Sequence, residues 1–257
     1  MLKNIVRKFR RPPKPQVIPF VPKNRRIYCI GDIHGRADLL KKLHKKIQAD
    51  AKNHKGRNTM VYLGDYVDRG EQSRQVIDIL LAQTLEGFDA VFLRGNHERA
   101  MLDFIDFPGA GAAWLTFGGR EALKSYGIRL ASISKMQQLG ELAQQLDDAL
   151  PAKHRDFLTK TCKDSWRCGS YYFVHAGIRP GVPLDKQTQE DKLWIRDEFL
   201  GSTVNHGYIV VHGHSITYEP EMLPNRIGID TGAYDTGILT CLVLQGNEQR
   251  LLQTGKP

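Results

Sequence analysis

An α/β fold with two groups of strands is what this sequence predicts, and three observations carry the prediction. Between residues 26 and 99, short apolar runs alternate with stretches of helical spacing. Each of those runs ends in glycine followed by polar residues, and strand-like runs return from residue 170 onward. Strands alternating with helices are the layout of parallel strands joined by crossover helices.

The first 25 residues stand apart as a basic, proline-rich flexible tail. Residues 1–26 hold nine Lys or Arg and no acid, so the remainder carries 28 basic against 28 acidic residues and is neutral. The formal net charge of +9 is therefore a property of the tail, and the neutral body offers no groove for specific nucleic-acid binding. Five of the twelve prolines (Pro12, Pro13, Pro15, Pro19, Pro22) lie here, which prevents a long helix and favours extended chain. The tail has no apolar stretch of the signal-peptide kind. Ile5, Val6 and Phe9 sit among its cations, and weak contact with an anionic membrane surface is the partnership such a composition suits.

Residues 26–257 are long enough for one domain with a full core. No stretch approaches the roughly 18 consecutive apolar residues of a membrane span. Cys29, Cys162, Cys168 and Cys241 match neither a paired zinc pattern nor a secreted disulfide framework, which places the chain in a reducing, cytoplasmic compartment. Cys29 falls inside the first strand and reads as core.

"RIYCIG" (26–31) reads as a buried strand, followed by a helix from about Ala37 to Ala51. "TMVYLG" (59–64) is a second strand, followed by a helix around 72–86 with Val76, Ile77, Leu80 and Leu81 on one face; "DAVFLRG" (89–95) is a third. Residues 100–165 lack strand-like runs and read as a helical insertion, interrupted by the glycine-rich "FPGAGAAWLTFGG". Strands return at "SYYFVHAG" (170–177), "YIVVHGH" (208–214), "NRIGID" (225–230) and "GILTCLVLQ" (237–245), with Gly232 and Gly246 suited to antiparallel turns.

The polar clusters "GDIHG", "GDYVDRG" and "GNHE" fall just beyond the carboxyl ends of neighbouring strands, where open α/β sheets place their ligands. Asp32, His34, Asp65, Asn96, His97, His175, His212 and His214 all follow apolar strands. Asp32 and His34 can share one face of an extended segment. Oxygen and nitrogen donors without thiolate suit Mn, Fe or Zn. More than four donors suggest two ions, which a carboxylate can bridge.

"GDIHG" (31–35), "GDYVDRG" (64–70) and "GNHE" (95–98), in this order and spacing, resemble the bacterial phosphoprotein phosphatase branch of the metallophosphoesterase superfamily. "VHAG" (174–177) and "GHS" (213–215) resemble its later histidine motifs. The resemblance runs from about Arg26 to Leu244. It implies a four-layer αββα sandwich: two mixed β-sheets flanked by helices, with a metal site at the strand carboxyl ends.

The resemblance also implies two divalent metal ions, Mn²⁺ foremost with Fe or Zn as alternatives. Asp32, His34 and Asp65 would hold one; Asp65, as bridge, with Asn96, His175 and His214 would hold the other. His214 is chosen over His212 by its place in "GHS"; alternation along the strand would turn His212 away. His97 resembles the family's general acid and Asp68 the carboxylate that orients it. Arg69, Arg196 and Asn96 would hold the phosphate, although Arg196 could instead form a surface salt bridge with Asp197 or Glu198. Glu98 reads as a cap or brace of its loop, and Asp230 and Thr231 as structural.

The implied activity is hydrolysis of phosphate monoesters on phosphoproteins, at Ser or Thr before Tyr, by a hydroxide bridging the two ions. Symmetrical dinucleoside polyphosphate hydrolases resemble the same scaffold and form the alternative. A catalytically idle binding scaffold would be expected to lose some of these residues, and the full set is present.

Overall fold

The computed structural model describes residues 16–82, 85–129 and 136–255. The alternation of β1 (Arg25–Ile30), β2 (Arg57–Tyr62) and β3 (Phe88–Phe92) with α1 (Ala37–Ala51), α2 (Ser73–Leu81) and α3 (Asn96–Asp106) follows the apolar runs. β1 pairs parallel with β2, and β2 with β3. Past α3 come a 3₁₀ turn (Ala110–Thr116), α4 (Gly119–Ser125), α5 (Met136–Ala149) and α6 (Ala152–Asp156), which continues as a π turn. These supply the expected helical insertion.

The second half contributes β4 (Ser165–Cys168), β5 (Tyr171–Val174), α7 (Gln189–Trp194), α8 (Asp197–Leu200) and β6 (Ile209–His212). β7 (Glu221–Met222), β8 (Arg226–Gly228), α9 (Ala233–Thr236), β9 (Thr240–Gln245) and β10 (Glu248–Gln253) complete it. The strands form two five-stranded mixed sheets, ordered β10-β9-β1-β2-β3 and β4-β5-β6-β8-β7.

Period-two alternation sorts the side chains into layers. Tyr28, Ile30, Met60 and Tyr62 pack against α1, α2 and the insertion helices. Ile27, Cys29, Val61 and Leu63 face Tyr171, Phe173, Val211 and Ile227 between the sheets. Tyr172, Val174 and Val210 on the far side pack with Phe199 of α8. The order is helices, sheet, sheet, helices, the four layers expected. Each fully buried side chain of this size contributes about 1.5–3 kcal/mol.

Three strands escape the apolar-run reading. β4 and β7 are short, and β10 is a half-exposed edge strand whose "EQRLLQ" lacks an apolar run. Gly246 does turn β9 into β10, but Gly232 takes φ +66° as the cap before α9 rather than joining two strands. Residues 1–15 of the tail lie outside the described residues. The flexible reading does not hold for residues 16–24: Val21 is buried between the sheets, and backbone bonds tie Val21 to Gly246 and Phe20 to Ser170. Val17 and Val21 bury apolar surface that alternation turns inward. The four cysteines are free and buried. No helix among the described residues is long and apolar enough to cross a membrane.

Candidate metal centre

Asp32 and His34 follow β1, Asp65 follows β2, Asn96 and His97 open α3 after β3, His175 follows β5, and His214 follows β6. The layered sheets thus bring five loops to one end. The backbone there is held in an unusual state. Among the described residues six non-glycines have positive φ, and five are site residues: His34, Asp65, Asp68, Arg69 and His214. Each costs roughly 1 kcal/mol or more, and persists only where its surroundings over-determine it.

Glu98 supplies much of that determination. Its fully buried carboxylate accepts the N–H groups of Asp65 at 2.9 Å, Tyr66 at 2.7 Å, Val67 at 3.2 Å and Gly95 at 2.8 Å. It braces the "GDYVDRG" loop as well as its own. Burial, with the Asp65 charge, pushes its pKa up to about 7 against those donors. Gly64, at φ +107°, lies against the backbone of Gly95, and Gly95 against Asp65, so neither tolerates a Cβ. Ile33 and His34 N–H both donate to the Asp65 carbonyl, clasping the first two motifs together.

Asp65 is shared by two clusters whose donor atoms lie within 4.8 Å of one another: His34, Asp65 and His97, and Asp65, His175 and His214. His34 donates its Nδ1–H to the Val67 carbonyl and His175 to the Leu63 carbonyl, each at 2.9 Å. The unprotonated Nε2 atoms therefore face Asp65, 3.5 Å from Oδ2 and 3.4 Å from Oδ1 respectively. His175 Nε2 also faces Asn96 Oδ1 at 2.8 Å, as does His214 Nδ1. Burial lowers the pKa of His34 to about 3, that of His214 to about 2, and that of His175 below its usual range. Burial alone would raise the Asp65 carboxyl, but the imidazoles of His175, His97, His34 and His214 hold it below the carboxylate range.

Lone pairs converging on a carboxylate repel one another, and a divalent cation relieves the repulsion. Asp32 Oδ1 and His214 Nε2 are buried without a hydrogen-bond partner. The residues present fit divalent metal. Asp32 belongs to neither cluster. Its Oδ2 accepts the His214 N–H at 2.9 Å, and burial, with the neighbouring Asp230 and Asp65 charges, raises its pKa. Asp230, near the centre as the resemblance of its segment implies, accepts the Gly232 N–H at 2.9 Å. Thr231 is structural: its hydroxyl donates to the Ile238 carbonyl.

His97 is set up differently from the other imidazoles. Its Nδ1 is 2.7 Å from Asp68 Oδ2, while Nε2 points into the cluster, 3.9 Å from Asp65 Oδ2. Burial works against its charge, but Asp65 and the Asp68 hydrogen bond outweigh it and raise the pKa. Trp114 Nε1–H donates to the same Asp68 oxygen at 2.6 Å, and the Asp68 N–H donates to Ser73. The glycine-rich segment permits this: Gly118, at φ +106°, abuts the Arg69 backbone, and its carbonyl accepts the Arg69 N–H. The glycines of this segment stand out in the sequence, whereas nothing local to Trp114 signals its contact with Asp68.

Arg69 lies 3.4 Å from His97 Nε2 and stacks on Tyr234, 4.7 Å from the ring centroid. Arg196 is exposed and donates to Ser215 beside His214. Of its two anticipated surface partners, Glu198 pairs with Arg179. His212 turns away from the cluster to pack edge-on against Phe199. A groove of about 350 Å³, lined by Phe107, Trp114, Phe117 and Trp194 among others, adjoins the centre. Trp194 meets the His214 ring at 6.2 Å.

The calcineurin-like phosphoesterase family matches the chain over residues 25–239. The bis(5'-nucleosyl)-tetraphosphatase PrpE [asymmetrical] of Anoxybacillus flavithermus is 27% identical over 233 residues, covering 83% of this chain and 88% of that protein. Serine/threonine-protein phosphatase 2 of Escherichia coli is 26% identical over 227 residues, covering 84% and 91%. Among solved structures, the cold-active protein-tyrosine phosphatase of a psychrophile Shewanella sp. shares the fold with a TM-score of 0.58 at 17% identity, covering 92% of this chain and 83% of that one.

Proposed function

This chain belongs to the calcineurin-like phosphoesterase family, and on that premise we propose that it hydrolyses phosphate monoesters on phosphoproteins, at Ser or Thr before Tyr. The observation that carries this reading is the His97–Asp68 pair, held beside the ligand cluster with its Nε2 facing inward. An alkoxide is a poor leaving group and needs a proton as the P–O bond breaks. A buried cationic imidazole aimed at the reacting centre supplies one.

Asp32, His34 and Asp65 would hold one divalent ion, and Asp65, Asn96, His175 and His214 another, with Mn²⁺ as the first choice. When bound, such ions polarise the phosphoryl group and make a nucleophile available at neutral pH. The chain's own groups do the rest. Arg69, fixed by Gly118 and Tyr234, forks onto phosphoryl oxygens as a lysine could not. Arg196 reaches the substrate from the opposite side, and Asn96 adds its carboxamide. Asp68 keeps the His97 proton on Nδ1 engaged, so that Nε2–H alone is presented to the leaving oxygen.

Hydrolysis of dinucleoside polyphosphates is the second reading. The aromatic groove favours it, since Phe107, Phe117 and Trp194 offer stacking surface beside the centre, and so do the relatives named as tetraphosphatases. Turnover of a phosphoserine peptide beside diadenosine tetraphosphate, both with Mn²⁺, tests the choice. The first reading expects a higher kcat/KM on the peptide; much faster cleavage of the dinucleotide would replace it with the second.

A further inference from the structure

The Arg196 guanidinium, assigned above to the phosphate, stands in an acidic stretch of chain. Residues 189–200, "QEDKLWIRDEFL", carry Glu190, Asp191, Asp197 and Glu198 against only Lys192 and Arg196. Arg196 caps α8 with φ −130° and ψ −101°. That conformation lies outside the helical region, so its side chain is not confined to a helix face. It donates to Ser215 Oγ at 3.3 Å, and Ser215 adjoins His214. The Asp197 and Glu198 carboxylates follow it at once in the chain. An uncompensated carboxylate there competes for the guanidinium and repels an incoming phosphoryl dianion.

Glu198 is compensated from a distance in sequence, by Arg179 of the loop after His175. Arg179 Nη1 donates to Glu198 Oε2 at 2.6 Å, while Nε and Nη2 fork onto Asp191 Oδ1 at 2.9 Å and 2.8 Å. The backbone of Arg179 is held as well. Its N–H donates to Gln187 Oε1 at 2.7 Å, and the buried Gln187 carboxamide donates to the Arg179 carbonyl at 3.0 Å and the Val182 carbonyl at 2.9 Å. Asp191 has partners besides the arginine, because it accepts the Thr188 N–H at 3.2 Å and hydroxyl at 2.6 Å. The Arg179–Glu198 pair is about half exposed on both sides, and pairs of that kind add little to stability. Its consequence is where it leaves the charge.

We propose that Arg179 is a positioning residue for phosphate binding. By spanning Asp191 and Glu198 it compensates the carboxylate two residues from Arg196 and leaves the Arg196 guanidinium free for phosphoryl oxygens. The proposal rests on the reading of Arg196 as a phosphate-holding residue and is independent of which phosphoester is cleaved.

Steady-state hydrolysis of p-nitrophenyl phosphate by the full chain in saturating Mn²⁺ tests it, with Arg196→Met as the reference. Arg179→Met releases Glu198 and should raise KM about three- to fivefold, the scale on which an exposed ion pair competes. Its kcat should stay within about twofold of wild type, since only binding is affected. Arg196→Met should raise KM by at least as much. Adding Glu198→Gln to Arg179→Met removes the charge and keeps the shape, and should return KM to the wild-type value. Glu198→Gln alone should leave KM unchanged. Arg179→Lys keeps a cation for Asp191 but cannot fork onto two carboxylates, and should raise KM by a smaller factor. Unchanged KM in both Arg179 variants, where Arg196→Met raises it, would overturn the role of Arg179. A raised KM that Glu198→Gln fails to restore would also overturn it, since Arg179 would then only brace its loop. Unchanged KM in Arg196→Met would overturn the reading of Arg196 itself, and the role of Arg179 with it.

Discussion

Replacing Asp68 by Asn tests the assignment of His97 as the proton donor. The two side chains have nearly the same shape, so the fully buried position stays filled and a carbonyl oxygen remains for the Trp114 indole. What disappears is the negative charge 2.7 Å from His97 Nδ1. A hydrogen bond to a charged partner contributes about 1.5–3 kcal/mol, which corresponds to roughly 1–2 pKa units on the imidazole. The wild-type His97 pKa lies above its ordinary value despite burial, so the variant value should fall. His97 acts in its protonated form, and the alkaline limb of the rate profile should therefore move to lower pH by about 1–2 units. On that limb cleavage of phosphoserine peptide should be about 10- to 100-fold slower, with a much smaller effect on p-nitrophenyl phosphate, whose leaving group needs little protonation. The raised His97 pKa also contributes stability that is fully present below the unfolded value and is lost as pH rises through the folded one. Urea midpoints of wild type and variant should accordingly differ most at mildly acid pH, where Asp68 is ionised and His97 protonated, and converge in base and in strong acid. Metal content should be unchanged. An unmoved alkaline limb, with equal slowing of both substrates, would exclude His97 as the proton donor.

Three other substitutions probe the remaining parts. His97→Ala should leave metal bound and slow turnover by roughly 10²–10⁴, most severely for esters with poor leaving groups, as a leaving-group series would show. Asp65→Asn removes the group shared by both clusters and should lower both metal content, read by elemental analysis, and rate. Trp114→Phe withdraws one donor from the buried Asp68 carboxylate; at about 1.5 kcal/mol the expected loss is about tenfold in kcat on phosphoserine peptide. A stability loss in that variant without a rate loss would make Trp114 a packing residue only.

The parallel half of the fold and the site loops were legible because both write themselves locally. A buried parallel strand needs a continuous apolar run, as in "IYCI" and "MVYL", and the ligands follow immediately in the loops beyond. β10 was not legible because an edge strand exposed along much of its length needs no such run. Glu98 could be read as a brace of its own loop, but not as the acceptor for Asp65, Tyr66 and Val67, since that depends on two strands lying side by side. Trp114 reaches Asp68 across 46 residues of chain, and only the close approach of Gly118 to Arg69 makes that contact available. Residue type gives Tyr66 and Val67 no assigned role in the "GDYVDRG" loop. The Tyr66 hydroxyl in fact donates to the Leu93 carbonyl, and the Val67 carbonyl fixes the tautomer of His34. Such roles rest on backbone conformations that residue type alone does not specify.

This end of the sandwich gathers the donors of a metal-dependent phosphoester hydrolase. Hydrolysis of p-nitrophenyl phosphate by the purified full chain, stripped with chelator and then titrated with Mn²⁺, tests it most directly. Turnover should be negligible when stripped, recover on Mn²⁺ addition, and saturate near two equivalents per chain. Turnover that survives chelation, or a chain that takes up Mn²⁺ and remains inactive, would contradict it.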